Sequence, residues 1–346
     1  MNKSWITGIG VVSRYGDTPE KFWNAISSDE EQTICDAKPA DFTAMCLEAI
    51  QKAACDGQIN LKNKMGCIVI GTGVGMLDQY MDVQDTQVYF MEILKRELHK
   101  HLGEYMKIII ISTACSAAAQ AIAYGTELLH RGKYSYVIAG GAELASQIVR
   151  LGFERLKSTE KEFCRPFDKE RRGIYPGEGA VFFSMEKTPK EDGYGYLAGY
   201  GITSDAYHVT APSPEGVYAR VAVETALKKS DLESSKIDAV VAHGTGTRQN
   251  DKVESEIIGK VFGKINVTSP KGKIGHTGGA SGAFSILTAA LMLKYQAIPP
   301  IIHLKTLDPE IHIEAVSKRM KYEKLEHVMV NCFAFGGTNI AIVCSR

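Results

Sequence analysis

Ile108-Ile109-Ile110-Ile111-Ser112-Thr113-Ala114-Cys115-Ser116-Ala117-Ala118-Ala119 passes from four consecutive β-branched residues into a run of small ones. Four isoleucines in a row leave no polar face, so they read as a strand covered on both sides, the pattern of a sheet with helices above and below it. The alanines that follow open a helical pattern over 117–130. Cys115 stands at the joint between them. Further strands are expected at 67–70, 136–139, 239–242 and 328–330. Amphipathic helices are expected at 41–55, 218–229 and 284–295. The fold class is α/β, layered.

The punctuation of the chain repeats. A glycine-broken strand, Ile6-Thr7-Gly8-Ile9-Gly10, is answered by Leu197-Ala198-Gly199-Tyr200-Gly201. Ile70-Gly71-Thr72-Gly73 is answered by Ala242-His243-Gly244-Thr245-Gly246-Thr247. The small-residue helix after Cys115 is answered by His276-Thr277-Gly278-Gly279-Ala280-Ser281-Gly282, and Ala139-Gly140-Gly141-Ala142 by Phe335-Gly336-Gly337-Thr338. Two similar halves, 1–192 and 193–346, would set matching loops around one cleft.

Composition narrows the function. The 346 residues, 45% of them hydrophobic, can bury a large core. Lys plus Arg and Asp plus Glu are both 40. That balance gives no reason to expect nucleic acid or an anionic membrane as a partner. The eight cysteines (Cys35, Cys46, Cys55, Cys67, Cys115, Cys164, Cys332, Cys344) never form Cys-x-x-Cys, and no histidine cluster has zinc spacing, so no metal is expected. No apolar run is long enough to span a bilayer, and the first residues lack a signal-peptide pattern. Reduced thiols in a cytoplasm follow as the expectation. Gly8-Ile9-Gly10 and Gly71-Thr72-Gly73-Val74-Gly75 imitate a dinucleotide fingerprint, but Ser13 and Met76 occupy the third-glycine positions, which argues against a nucleotide.

Three residues stand where chemistry is feasible. Cys115, where strand meets helix, faces the positive end of a helix dipole, which favours the nucleophilic thiolate. A free cysteine is equally ordinary as core filler. His243 ends a strand and opens a Gly/Thr loop, and His276 follows the Lys271 loop into a close-packed helix. Either histidine alone reads as hydrogen-bonded structure. Two such loops in one half, with a strand-to-helix cysteine in the matching half, make the joint reading the stronger one.

Taken together, Thr113-Ala114-Cys115-Ser116, His243-Gly244-Thr245-Gly246-Thr247, Lys271 with Gly275-His276, and Asn331-Cys332-Phe333-Ala334-Phe335-Gly336-Gly337-Thr338-Asn339 closely resemble the β-ketoacyl-ACP synthases of types I and II. Arg165-Pro166-Phe167-Asp168, Gly177-Glu178-Gly179-Ala180 and Ser204-Asp205-Ala206-Tyr207-His208 extend the likeness over most of the chain. The resemblance implies a thiolase-like fold of five layers, α-β-α-β-α. It implies a decarboxylative Claisen condensation in fatty-acid or polyketide-like biosynthesis. Cys115 would take an acyl group from an acyl carrier protein, and malonyl carrier would then lose carbon dioxide and attack it. His243 and His276 match the residues that stabilise developing negative charge on the thioester oxygen, and Lys271 and Glu254 match a supporting pair. The amides of Cys115 and Phe335 match an oxyanion hole, with Phe335 as a gating residue. Thr245 and Thr247 match residues that bind the carrier's phosphopantetheine arm. No other cofactor is implied, and the enzyme would be a homodimer or a heterodimer with a related synthase subunit.

The chain also departs from the family. Between Gly75 and Ile108 it is much shorter than the usual member, in a stretch that normally helps form the subunit contact and the acyl pocket; a specialised pathway is the expectation. Ala334 replaces a glycine in the gating turn, and its methyl is expected to stiffen that loop. Two other readings were weighed. A chain-length-factor-like partner subunit would lack the nucleophile, and a biosynthetic thiolase would use a second catalytic cysteine, whereas Cys332 stands where the synthases have serine.

Overall fold

A computed structural model describes residues 3–28, 41–63, 65–80 and 89–346. Met1, Asn2 and Cys35 lie outside the described residues. The first part of the chain supplies β1 (Ser4–Val12), β2 (Gly66–Gly71), β3 (Lys107–Ile111), β4 (Tyr136–Glu143) and β5 (Gly179–Glu186). The second supplies β6 (Tyr196–Ser204), β7 (Ala239–Val241), β8 (Asn266–Thr268), β9 (Ala297–Ile298), β10 (Glu314–Ala315), β11 (Met320–Lys321), β12 (His327–Phe333) and β13 (Thr338–Ser345). The helices are α1 (Pro19–Ser27), α2 (Phe42–Asp56), α3 (Phe90–Leu102), α4 (Ala117–His130), α5 (Gln147–Arg155), α6 (Val217–Ser230), α7 (Arg248–Phe262), α8 (Lys271–Ile274) and α9 (Ser281–Tyr295). No helix among the described residues is long and apolar enough to cross a membrane.

The strand order shows the repeat. β1 and β6 meet through two residue pairs, Ser4 with Leu197 and Trp5 with Tyr196. Outward from that contact the order is β1-β5-β4-β2-β3 on one side and β6-β13-β12-β7-β8 on the other, with β10 beyond β8. The glycine-broken strands are thus the pair that meets in the middle. One proposed match was drawn in the wrong place. Gly140 and Gly141 lie inside β4, where a Cβ on Gly140 would meet the Val181 carbonyl at 2.0 Å, whereas Gly336 and Gly337 form the turn between β12 and β13.

Alternation along the strands builds five layers. In β2, Cys67 and Val69 face a central core while Ile68 and Ile70 face an outer one. In β13, Ile340, Ile342 and Cys344 face the centre, with Ala341 and Val343 outside. The central core is filled by α4 and α9, which pack on each other between the two sets of strands. The outer cores are covered by α2 and α3 on one side and by α6 and α7 on the other. This is the α-β-α-β-α arrangement that the resemblance implied. It sets the N-terminal ends of the two central helices close together, where α4 brings Cys115 and α9 follows His276.

The glycines of β1 and β6 are explained by the outer helices. A Cβ on Gly10 would meet the Ala49 carbonyl oxygen of α2 at 1.9 Å, and one on Gly201 would meet the Ala222 carbonyl oxygen of α6 at 2.0 Å. Each helix lies directly on its strand because no side chain holds it off. Gly10→Ala and Gly201→Ala must each push a helix away, and each is expected to lower stability by about 3 kcal/mol. Denaturant unfolding of the two variants checks this, and equal midpoints for wild type and both variants would contradict the packing.

Candidate active site

β3 runs into Thr113-Ala114-Cys115, and α4 begins at Ala117 with Ser116 at its N-cap. Ala114 has φ +50°, a left-handed conformation that costs a residue with a Cβ and turns the chain sharply ahead of the thiol. The Cys115 side chain is buried, with 9% exposure. Burial pushes the Cys115 thiol up to about 11, against the pull of the Lys271 ammonium and the backbone N–H groups of Phe335 and Cys115 itself. The resting group is a thiol.

The two histidines are brought together from separate loops. Their rings lie 5.6 Å apart between centroids, edge to face. His276 is gripped through its backbone: its N–H donates to Tyr175 O at 2.7 Å, and Gly177 N–H donates to its carbonyl at 2.9 Å. Gly278 N–H donates to His276 Nδ1 at 3.0 Å. A nitrogen that accepts carries no proton, so the neutral ring keeps its proton on Nε2. Burial, reinforced by Lys271, lowers His276 to about 3. His243 is held well below its ordinary value by burial, then Lys271, then His276. Both rings are therefore neutral at neutral pH.

Lys271, buried at the start of α8, donates to His243 O at 2.6 Å and lies 3.4 Å from His243 Nδ1. An ammonium facing Nδ1 leaves the His243 proton on Nε2 as well. Glu254 of α7 accepts from the amides of His243 at 2.7 Å and Gly244 at 2.8 Å, and Asn331 Nδ2 donates to it at 3.2 Å. Its carboxyl is raised to about 7 by burial, against those hydrogen bonds. Lys271 and Glu254 thus both touch His243, one at the ring and the carbonyl, the other at the amide.

Thr245 and Thr247 spend their hydroxyls locally. Their oxygens are 2.9 Å apart, and Thr247 caps α7 by accepting from Asn250 N at 3.3 Å. Phe335 packs against Phe153 of α5, with ring centroids 5.2 Å apart. Its turn is tied to a neighbouring loop: Gly336 N–H donates to Val209 O at 2.7 Å, and Asn339 Nδ2 donates to Asp205 Oδ1 at 2.7 Å. Ala334 has φ −113° and ψ 156°, ordinary extended backbone that any residue adopts, so its methyl places no strain on the turn.

Cys115, His276 and Phe335 line one cavity of about 160 Å³, walled by Val74, Leu144, Val149, Phe153 and Ile174. His243, Lys271, Glu254, Thr245 and Thr247 do not line it; His243 meets the cavity only through His276, to which it is edge-on. Two contributors were not read from the sequence. Helix α5 supplies Val149 and Phe153; it is only 9 residues long and none of its residues is buried. Glu143, at the end of β4, accepts from the amides of Gly73 (2.5 Å), Val74 (3.1 Å), Gly75 (3.1 Å) and Gly279 (2.7 Å), and from the Thr72 hydroxyl (3.2 Å). The signal for it was a lone acid closing an otherwise apolar and glycine strand.

Known proteins resemble the chain in sequence and in fold. Residues 101–190 match the model of the beta-ketoacyl synthase N-terminal domain, and 194–305 that of the C-terminal domain. The chain is 31% identical to the 3-oxoacyl-[acyl-carrier-protein] synthase 2 of Staphylococcus aureus, over 98% of this chain and 99% of that one. It is 35% identical to the enzyme of the same name from Mycobacterium tuberculosis, over 68% of this chain, a match that spans 60% of the relative. Among solved structures, the ishigamide ketosynthase/chain length factor has a TM-score of 0.88 at 24% identity and covers 99% of both chains, a likeness of fold. Full-length similarity above 30%, on top of both domain models, places the chain in the β-ketoacyl synthase family.

Proposed function

We propose that the protein is a β-ketoacyl-ACP synthase that condenses a Cys115-bound acyl group with malonyl carrier. The observation that carries this is the pair of neutral imidazoles, His276 lining the cavity with Cys115 and His243 edge-on to His276, each with Nδ1 occupied and its proton on Nε2. In the first step the Cys115 sulfur attacks an acyl-carrier thioester, and the thiol proton leaves with the carrier thiol. In the second, malonyl thioester releases carbon dioxide and its electron pair moves onto the thioester oxygen, where the Nε2–H groups of His243 and His276 hold the charge. The α-carbon then attacks the acyl-enzyme carbonyl. The amides of Cys115 and Phe335 stabilise that oxyanion, and its collapse releases the β-ketoacyl carrier and the sulfur, which takes up one proton. Neutral histidines suit this chemistry: the lowered imidazolium pKa leaves each ring as neutral imidazole, whose N–H is a very weak acid and can hydrogen-bond an enolate oxygen without handing over its proton.

Lys271 and Glu254 act in this scheme as positioning residues, Phe335 as a gate, and Thr245 and Thr247 as ligands of the pantetheine arm once their mutual hydrogen bond opens. The partner is an acyl carrier protein, as the names of the Staphylococcus and Mycobacterium relatives indicate. We place the protein in the cytoplasm, with no metal or redox cofactor, and divide it into 1–192 carrying the nucleophile and 193–346 carrying the histidines. Cys332 fits a thiolase base poorly: it is buried in β12, burial raises its thiol to about 12, and it does not line the cavity. The presence of Cys115 itself disfavours a non-catalytic subunit. A second copy, or a related subunit, is a fitting neighbour for β3, whose outer edge no described strand pairs and whose Ile109, Ile110 and Ile111 are only half-buried.

Three outcomes are expected. Intact-mass spectrometry should show an acyl adduct on wild type but not on Cys115→Ala, and malonyl carrier should discharge it with release of carbon dioxide. His276→Ala and His243→Ala should still acquire the adduct but should decarboxylate malonyl carrier about 100-fold to 1,000-fold more slowly; unchanged decarboxylation in both would remove the histidines from the mechanism. Because the resting thiol titrates near 11, its thiolate fraction grows with pH throughout the neutral range. Alkylation of the Cys115 peptide by iodoacetamide should therefore rise about tenfold per pH unit from pH 7 to 9, and a plateau below pH 8 would contradict the burial effect.

A further inference from the structure

We propose that the cavity beside Cys115 admits only short acyl groups, of about six carbons or fewer, and that Val149 and Phe153 of α5 set this limit. The inference rests on the acyl-enzyme reading above. The cavity measures about 160 Å³. An apolar protein cavity of about 150 Å³ holds one benzene, six carbons, which fixes the scale. Its walls are Val74, Leu144, Val149, Phe153 and Ile174, so the occupant is apolar. The acid in the wall, Glu143, has both oxygens engaged by backbone N–H groups and a hydroxyl, and it offers nothing to a charged chain end.

One wall is fixed. The 73–75 loop and Gly279 are pinned to the same carboxylate, and their backbones already touch, since a Cβ on Gly279 would lie 2.1 Å from Gly73 N. The opposite wall is α5. Asp78 holds its start, accepting from the Ser146 hydroxyl at 2.7 Å and from Gln147 N at 2.7 Å. Val149 and Phe153 are four residues apart and share the inner face of that helix. Phe153 is braced by Phe335. Val149 has no such brace and is the residue to shorten.

The test presents the full-length protein with N-acetylcysteamine thioesters of two to twelve carbons and reads the Cys115 adduct by intact mass at a fixed early time. Labelling should hold up to about six carbons. Beyond that it should fall at least about tenfold by ten carbons, because methylenes forced into a filled apolar cavity overpack it. Val149→Ala should move the fall-off outward by about one or two carbons, while Leu151→Ala, on the exposed face of α5, should leave it in place. Equal labelling at two and twelve carbons, or a fall-off unmoved by Val149→Ala, would overturn the inference and leave the acyl-enzyme reading standing. No adduct at any length would overturn that reading and the inference with it.

Discussion

The carboxylate of Glu143 is buried between the two parts of the molecule and accepts from four backbone amides and one hydroxyl. Taking a charge out of water is costly, and only a full set of donors makes it tolerable. Three of the amides belong to the loop after β2, and the fourth, Gly279, belongs to the segment that leads from His276 into α9. One side chain therefore fixes the distance between the loop that walls the cavity and the turn that carries His276. Burial still raises its pKa, so the cradle compensates the desolvation only in part.

The same device recurs around His243. Glu254 accepts from the amides of His243 and Gly244. Asp251 accepts from Thr245 (3.0 Å), Gly246 (3.2 Å) and Phe167 (2.8 Å), with the Arg171 guanidinium 3.6 Å away. These acids occupy the places where a reader of active sites looks for general bases, yet their oxygens are committed to backbone. Their work is to hold polar loops in shape where no regular strand or helix can. The candidate reacting groups carry less of that duty: the backbone N–H groups of Phe335 and Cys115 reach the Cys115 sulfur, and each imidazole has its Nδ1 engaged and its proton on Nε2.

Burial sets the protonation of the whole site. It raises Cys115, lowers both histidines and lowers Lys271, and in every case desolvation is the largest cause. Lys271 then acts on all three neighbours in the direction its positive charge demands, drawing the thiol down and depressing the imidazoles further. A resting thiol beside two neutral rings is the result. The N-terminal end of α4 stands at Cys115 as its position in the sequence suggested, and burial is the largest cause of the raised thiol.

The sequence alone determined the alternation that makes the strands, the glycines that let α2 and α6 lie on β1 and β6, and the identities of Cys115, His243, His276, Lys271 and Phe335, because side-chain type and period are local properties. It could not assign Glu143 or Glu254 their partners. Gly73 and Gly279 are 206 positions apart along the chain, and only folding puts their amides on one carboxylate. Nor could it say that Thr245 and Thr247 bond each other, that Ala334 sits in relaxed extended backbone, or that α5 roofs the cavity. Protonation, hydrogen-bond partners and cavity size all depend on what surrounds a group once water has gone, and that surrounding is assembled from segments distant in the chain. The candidate reacting residues were written in the sequence; their charge states and the space beside them were decided by the tertiary structure.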